Sequence, residues 1–163
     1  MPYVATKAYV SFPTSLIHLE SFSQVINATI PLSAWIALSI SGVLLVVSGF
    51  MSSSEVAFFS LSPSDIDLIK EEEHPADRGL VELLKDSERL LATILIGNNL
   101  VNVAIVILTG YAFAQIFDFT TAPALGFIFQ TVILTLLLLL FGEIIPKVYA
   151  QARPLSFSRF SAG

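Results

Sequence analysis

Three groups of oxygen-bearing residues lie inside otherwise apolar sequence. The first is Ser48-Gly-Phe-Met-Ser-Ser-Ser-Glu55. Ser48 and Ser52 are four apart and Glu55 three further on, so a helix places all three on one face, and Ser41 extends that stripe towards the N-terminus. The second is Leu95-Ile-Gly-Asn-Asn-Leu-Val-Asn102, in which Asn98 and Asn102 share a face and Asn99 points about 100° away. The third is Leu140-Phe-Gly-Glu-Ile-Ile-Pro-Lys147. There Glu143 follows an unbroken leucine run, and Pro146 lacks a backbone donor, which can leave a carbonyl such as that of Gly142 free. Hydroxyl, amide, carbonyl and one carboxylate are all hard oxygen donors. Without sulfur or imidazole beside them, they suit Mg²⁺, Ca²⁺ or Na⁺.

The surroundings make these groups unusual. Of 163 residues, 55% are hydrophobic and only 13% charged, against about 25% charged in an ordinary soluble domain. A bilayer is the expected solvent, and an all-α integral membrane protein the expected fold. No charge occurs from Ser21 until Glu55, and the apolar part of that stretch, Ala34 to Met51, approaches the roughly 20 residues that a spanning helix needs. Two further uncharged stretches follow, giving expected spans at 34–54, 90–117 and 119–142. Lys7 leads into no apolar run of the signal-peptide kind, so cleavage of an N-terminal signal is not expected.

Basic residues set the orientation. Lys70, Arg78, Lys85 and Arg89 fall between spans one and two, and Lys147, Arg153 and Arg159 follow span three, whereas the second connection carries only Asp118. Lysine and arginine stay on the cytoplasmic side during insertion, so the N-terminus is expected outside and the C-terminus inside, with Lys7 as the one dissent. All three oxygen clusters then share the cytoplasmic side. From Pro75 the sequence sets Leu80, Leu83, Leu84 and Leu91 opposite Glu82, Lys85, Asp86 and Glu88, which predicts an amphipathic helix over about 75–89. It would lie as a belt at the membrane surface or pack on a further soluble domain. Residues 1–32 form an extracytoplasmic segment without an assigned role, 33–153 the membrane domain, and 154–163 a linker stub. Glu71-Glu72-Glu73 reads as a solvated turn.

Each cluster also has a plain structural reading. Gly42, Ser48 and Gly49 are small enough to let helices approach, and serines can bond their own helix. Asparagines can pair across helices, and Glu143 can pair with Lys147 one turn later. A net charge of −5 without a basic stripe argues against nucleic acid. The absence of cysteine excludes disulfides, thiolate zinc sites and cysteine nucleophiles. An intramembrane serine protease lacks a base, because His18 and His74 both lie outside the spans. No enzymatic activity is expected.

At these same residues the chain resembles the CorC/CNNM (cyclin M-like) family of magnesium transport proteins over about residues 41–152, in its transmembrane domain. The resemblance implies a homodimer with three spans per protomer, a cytoplasmic belt helix and an inward-open Mg²⁺ site. Carried over by position, the ligands are Ser48, Ser52, Asn98 or Asn102, the Gly142 carbonyl and Glu143. It also implies Na⁺-coupled export of Mg²⁺ from a bacterial inner membrane, and nucleotide binding only through CBS modules outside this sequence. A dimeric membrane anchor or Mg²⁺ sensor, whose activity sits in those modules, is the alternative.

Overall fold

The structure, a computed structural model, describes residues 29–71, 74–120 and 123–162. Among them the chain is helical throughout, with three helices long and apolar enough to cross a membrane. The expectations for residues 1–28, Glu72 and Glu73, including those on Lys7 and His18, lie outside the described residues.

Helix α1 runs Leu32–Phe59, starting directly after Pro31, and so exceeds the expected span by a turn at its C-terminal end. Glu55 therefore lies within the helix. Helix α2, Pro63–Lys70, was not expected from hydropathy. It is set locally: Ser62 Oγ accepts from the Asp65 N–H while the Asp65 carboxylate accepts from the Ser62 N–H, a reciprocal cap, and Pro63 opens the helix.

The amphipathic stretch from Pro75 to Leu91 is divided. Helix α3 covers Asp77–Lys85, and Asp86, with φ −123° and ψ 67°, breaks it. The Asp86 carboxylate accepts from the Arg89 N–H and so caps α4, Ser87–Ile116, which begins earlier than the expected position 90.

The third span corrects the sequence expectation most. It starts at Pro123, a residue suited to the first helical turn, and continues past Glu143 to Ala152. Pro146 does not end it. Helix α5, Pro123–Leu137, widens into a π-helical segment, Leu138–Ile144, and then continues as α6, Ile145–Ala152. The Ile145 N–H bonds the Leu140 carbonyl five residues back. With that change of register Pro146 falls in the first turn of the new helix, where no N–H is required. The expected linker stub is helix α7, Pro154–Ala162.

Helices α1 and α4 form an antiparallel pair. Ala34, Ala37 and Ala112 pack together at one end of it. At the other end Phe58, Ile69, Leu80 and Ile94 form a small core that draws in Leu155 and Ala162, so α2, α3 and α7 gather around one end of the bundle. This is called the belt end below. Side chains such as Val43, Val46, Ile96 and Leu100 face outwards, as lipid-facing residues do.

The belt is tied by one ion pair. Asp77 on α3 is fully buried and accepts from Arg159 on α7 through both oxygens, Nε to Oδ1 at 2.7 Å and Nη2 to Oδ2 at 2.9 Å. The His74 N–H adds a third bond at 3.0 Å. The Arg159 hydrogen bond, chiefly, holds the Asp77 carboxyl below its usual range against the opposing effect of burial. A carboxyl lowered on folding stabilises the protein above its unfolded pKa and loses that contribution as pH falls through its folded value. Asp77→Asn should therefore lower unfolding free energy by about 3 kcal/mol at pH 7. The deficit relative to wild type should shrink below about pH 4. Thermal melts of the two proteins in detergent across pH check both parts.

A candidate cation site of oxygen donors

Ser48 is the point at which the three spans meet. It is fully buried, and its Oγ lies 2.9 Å from Asn98 Oδ1 and 2.8 Å from Asn102 Oδ1. The four-residue spacing of the asparagines brings both amides to the same side of α4. A hydroxyl has one proton to donate, so Ser48 satisfies one of these two oxygens at a time. The cluster thus gathers a hydroxyl and two amide side chains, each of which can turn an oxygen towards a cation.

Gly142 closes the third side. A Cβ built on it would stand 3.2 Å from Ser48 Oγ, so the third span approaches the serine backbone-first. Gly49 allows a second close approach: a Cβ there would be 3.1 Å from the Phe141 carbonyl oxygen and 3.1 Å from the Pro146 ring. In an α register the carbonyl deprived by Pro146 would be that of Gly142. In the π register followed by Ile145 it is that of Phe141, the oxygen facing Gly49. Pro146 announced a disturbed carbonyl in the sequence, but not the register that decides which one.

Ser52 lies one turn along the same face of α1, fully buried, and its Oγ has no partner. Several other hydroxyls in the membrane helices instead bond a carbonyl of their own helix. Ser39 donates to the Trp35 carbonyl, Ser54 to Phe50 and Thr93 to Arg89, each at 2.8 Å. An unbonded buried hydroxyl costs about 1–3 kcal/mol, and a ligand supplied to the site would satisfy it.

Glu143 follows Gly142 and is half-buried. Among the described residues it makes no hydrogen bond or ion pair. Its expected competitor is engaged elsewhere, since Lys147 pairs with Glu55 at 3.4 Å, linking the ends of α1 and the third span. Of the three asparagines, Asn98 and Asn102 join Ser48, whereas Asn99 is exposed beside Leu95, Ile96 and Leu100. The structure thus brings together Ser48, Asn98, Asn102 and Gly142, with Ser52 on the same α1 face and Glu143 adjacent in sequence. No group of three or more His, Cys, Asp or Glu residues able to hold a metal occurs among the described residues. One carboxylate among neutral oxygens would hold a small divalent ion only with retained water.

Comparison with known proteins agrees in extent with the described helices. The cyclin M transmembrane N-terminal domain family matches residues 39–163. A UPF0053 protein of Haemophilus influenzae is 31% identical over 134 residues, covering 82% of this chain and 30% of that protein. Metal transporter cnnm-4 of Caenorhabditis elegans is 34% identical over 64% of this chain and 22% of its own length. The UPF0053 inner membrane protein YfjD of Escherichia coli K12 is 28% identical over 66% of this chain and 24% of its own. The chain thus spans under a third of the length of each of these relatives.

The close approach at Gly49 is testable against Gly42, where an added Cβ meets nothing within 4 Å. Gly49→Ala should cost about 1–3 kcal/mol, because both neighbours are rigid. Gly42→Ala, in open space within the same helix, should leave stability unchanged or raise it by up to about 1 kcal/mol. Thermal or denaturant unfolding in detergent measures the difference.

Proposed function

The chain belongs to the cyclin M transmembrane-domain family, and from that premise we propose that it forms the membrane part of a Mg²⁺ transporter, with the ion held by Ser48, Ser52, Asn98, Asn102, Gly142 and Glu143. The observation that carries this reading is the convergence of Asn98 Oδ1 and Asn102 Oδ1 on the single hydroxyl of Ser48. Three oxygens from α1 and α4 converge there within hydrogen-bond distance, and the buried hydroxyl of Ser52, one turn away, has no partner. A cation takes up oxygens of both groups. The name of the nematode relative supports metal transport as the class of cargo, and the donor set favours a hard ion over a thiophilic one.

In this reading the belt end faces the cytoplasm, in keeping with the basic residues of the first connection and the tail. Mg²⁺ reaches the bundle from that side with most of its waters. Glu143 supplies the only formal negative charge at the ion, while the amides and hydroxyls replace part of the hydration shell. A rearrangement of the third span against α1, where the π segment interrupts the regular helix, releases the ion outwards, with Na⁺ as the coupling ion. Asn99, an amide on a face of apolar side chains, supports a homodimer, because in lipid it needs a partner from another chain. Ser48 is not a nucleophile here: its partners are amide oxygens, which do not accept a proton as a general base must.

Isothermal titration of Mg²⁺ into the purified protein tests the site. Asn98→Ala and Glu143→Ala should each weaken binding at least tenfold, and unchanged binding in both would remove the assignment. Mg²⁺ flux in proteoliposomes separates transporter from anchor: flux by wild type that is lost in Asn98→Ala excludes a purely anchoring role.

A further inference from the structure

The serine stripe on α1 does not stop at the cluster. Ser41 lies seven residues, or about 10.5 Å of helix, from Ser48 in the direction away from the belt. It is 6% exposed, and its Oγ has no hydrogen-bond partner. Its neighbour Ser39, which is exposed, bonds the carbonyl four residues back. The same bond from Ser41, to Ala37, is not made. That hydroxyl is therefore open to a partner other than its own helix.

The register of the α1–α4 pair fixes the level at which Ser41 lies along α4. Ser48 meets Asn98 and Asn102, and about three to four turns towards the other end Ala37 and Ala34 meet Ala112. Between those levels Ser41 falls opposite the stretch from Ile105 to Thr109, and Thr109 is the buried polar residue there, 5% exposed. Asn98, Asn102 and Thr109 lie four and seven residues apart, on one face of α4. Beyond Thr109 the polar character continues. A Cβ on Gly110 would stand 2.9 Å from Gln130 Nε2, and Gln130 walls a cavity of about 620 Å³, bordered by Phe113, Phe119 and Asp118, at the end opposite the belt.

We propose that Ser41, with Thr109 across the α1–α4 pair, is a second station for the transported cation, leading from the Ser48 cluster towards the cavity at Gln130 and Asp118. This rests on the reading of the Ser48 cluster as a Mg²⁺ site. The station holds no carboxylate, so it would hold the ion more weakly than the Ser48 cluster does. Ions bind tightly enough to be selected at the carboxylate and weakly enough beyond it to leave.

The chain contains no cysteine, so single-cysteine variants can be labelled without background. In proteoliposomes, Ser41→Cys should react with a small, positively charged methanethiosulfonate reagent at least tenfold faster than Ser39→Cys, and saturating Mg²⁺ should slow it at least threefold. Ser41→Ala should lower Mg²⁺ flux at least tenfold while changing Mg²⁺ affinity less than twofold. Labelling no faster than at Ser39, or flux in Ser41→Ala within twofold of wild type, overturns the proposal. Failure of the underlying site would show differently, as Mg²⁺ affinity that survives Asn98→Ala and Glu143→Ala.

Discussion

In hydrocarbon a polar group has only the protein to bond with, and the arrangement of this bundle follows from that constraint at one residue, Ser48. Its hydroxyl is sealed from solvent and shared by two amide oxygens of α4. An unpaired amide or hydroxyl at this depth costs several kcal/mol. The pairing of α1 with α4 is thereby fixed in register, since slipping by one residue would turn both asparagines away from the serine. The third span then has one way to approach, with a glycine, because any side chain at position 142 would press on the same oxygen.

That approach has a structural consequence further along the chain. Gly142 and Glu143 sit in a stretch of π helix, which ends at Ile144, two residues before Pro146. A regular α-helix would have met the proline in mid-course and lost a bond there. The wider turn moves the loss to the Phe141 carbonyl and sets it against Gly49. The ion pair of Glu55 with Lys147 fastens the two helices just beyond this point and leaves Glu143 free of a basic partner. Closer to the belt, Asp77 and Arg159 join α3 to α7, while Phe50 stacks with Phe157 and Phe160 and Ser54 bonds Ser161. The tail helix is thus bonded to α1 within one turn of Ser52.

Hydropathy alone marked the three spans, because the uncharged runs are long and the bilayer sets their length. The four-residue spacings of Ser48 with Ser52 and of Asn98 with Asn102 marked the faces that meet, since helical geometry fixes them whatever the tertiary context. What local pattern could not carry was the outcome of competition between bonds. Pro146 signalled a break where the chain instead changes register. The leucines from Leu80 to Leu91 signalled one amphipathic helix where the cap formed by Asp86 makes two. Lys147 has acidic residues on two sides, and only packing selects Glu55 over Glu143. Asp77 and Arg159 are far apart in sequence, and nothing near either residue announces the other.

The proposed function requires a hard cation among oxygens contributed by all three spans. Anomalous diffraction from crystals of the protein soaked with Mn²⁺, a stand-in for Mg²⁺ with similar octahedral oxygen preference, tests it most directly. One anomalous peak per protomer is expected within coordination distance of Ser48, Asn98 or Asn102 and the third span at Gly142–Glu143, and none there in Glu143→Ala. A peak confined to the acidic surface of the belt, with none at Ser48, would contradict it.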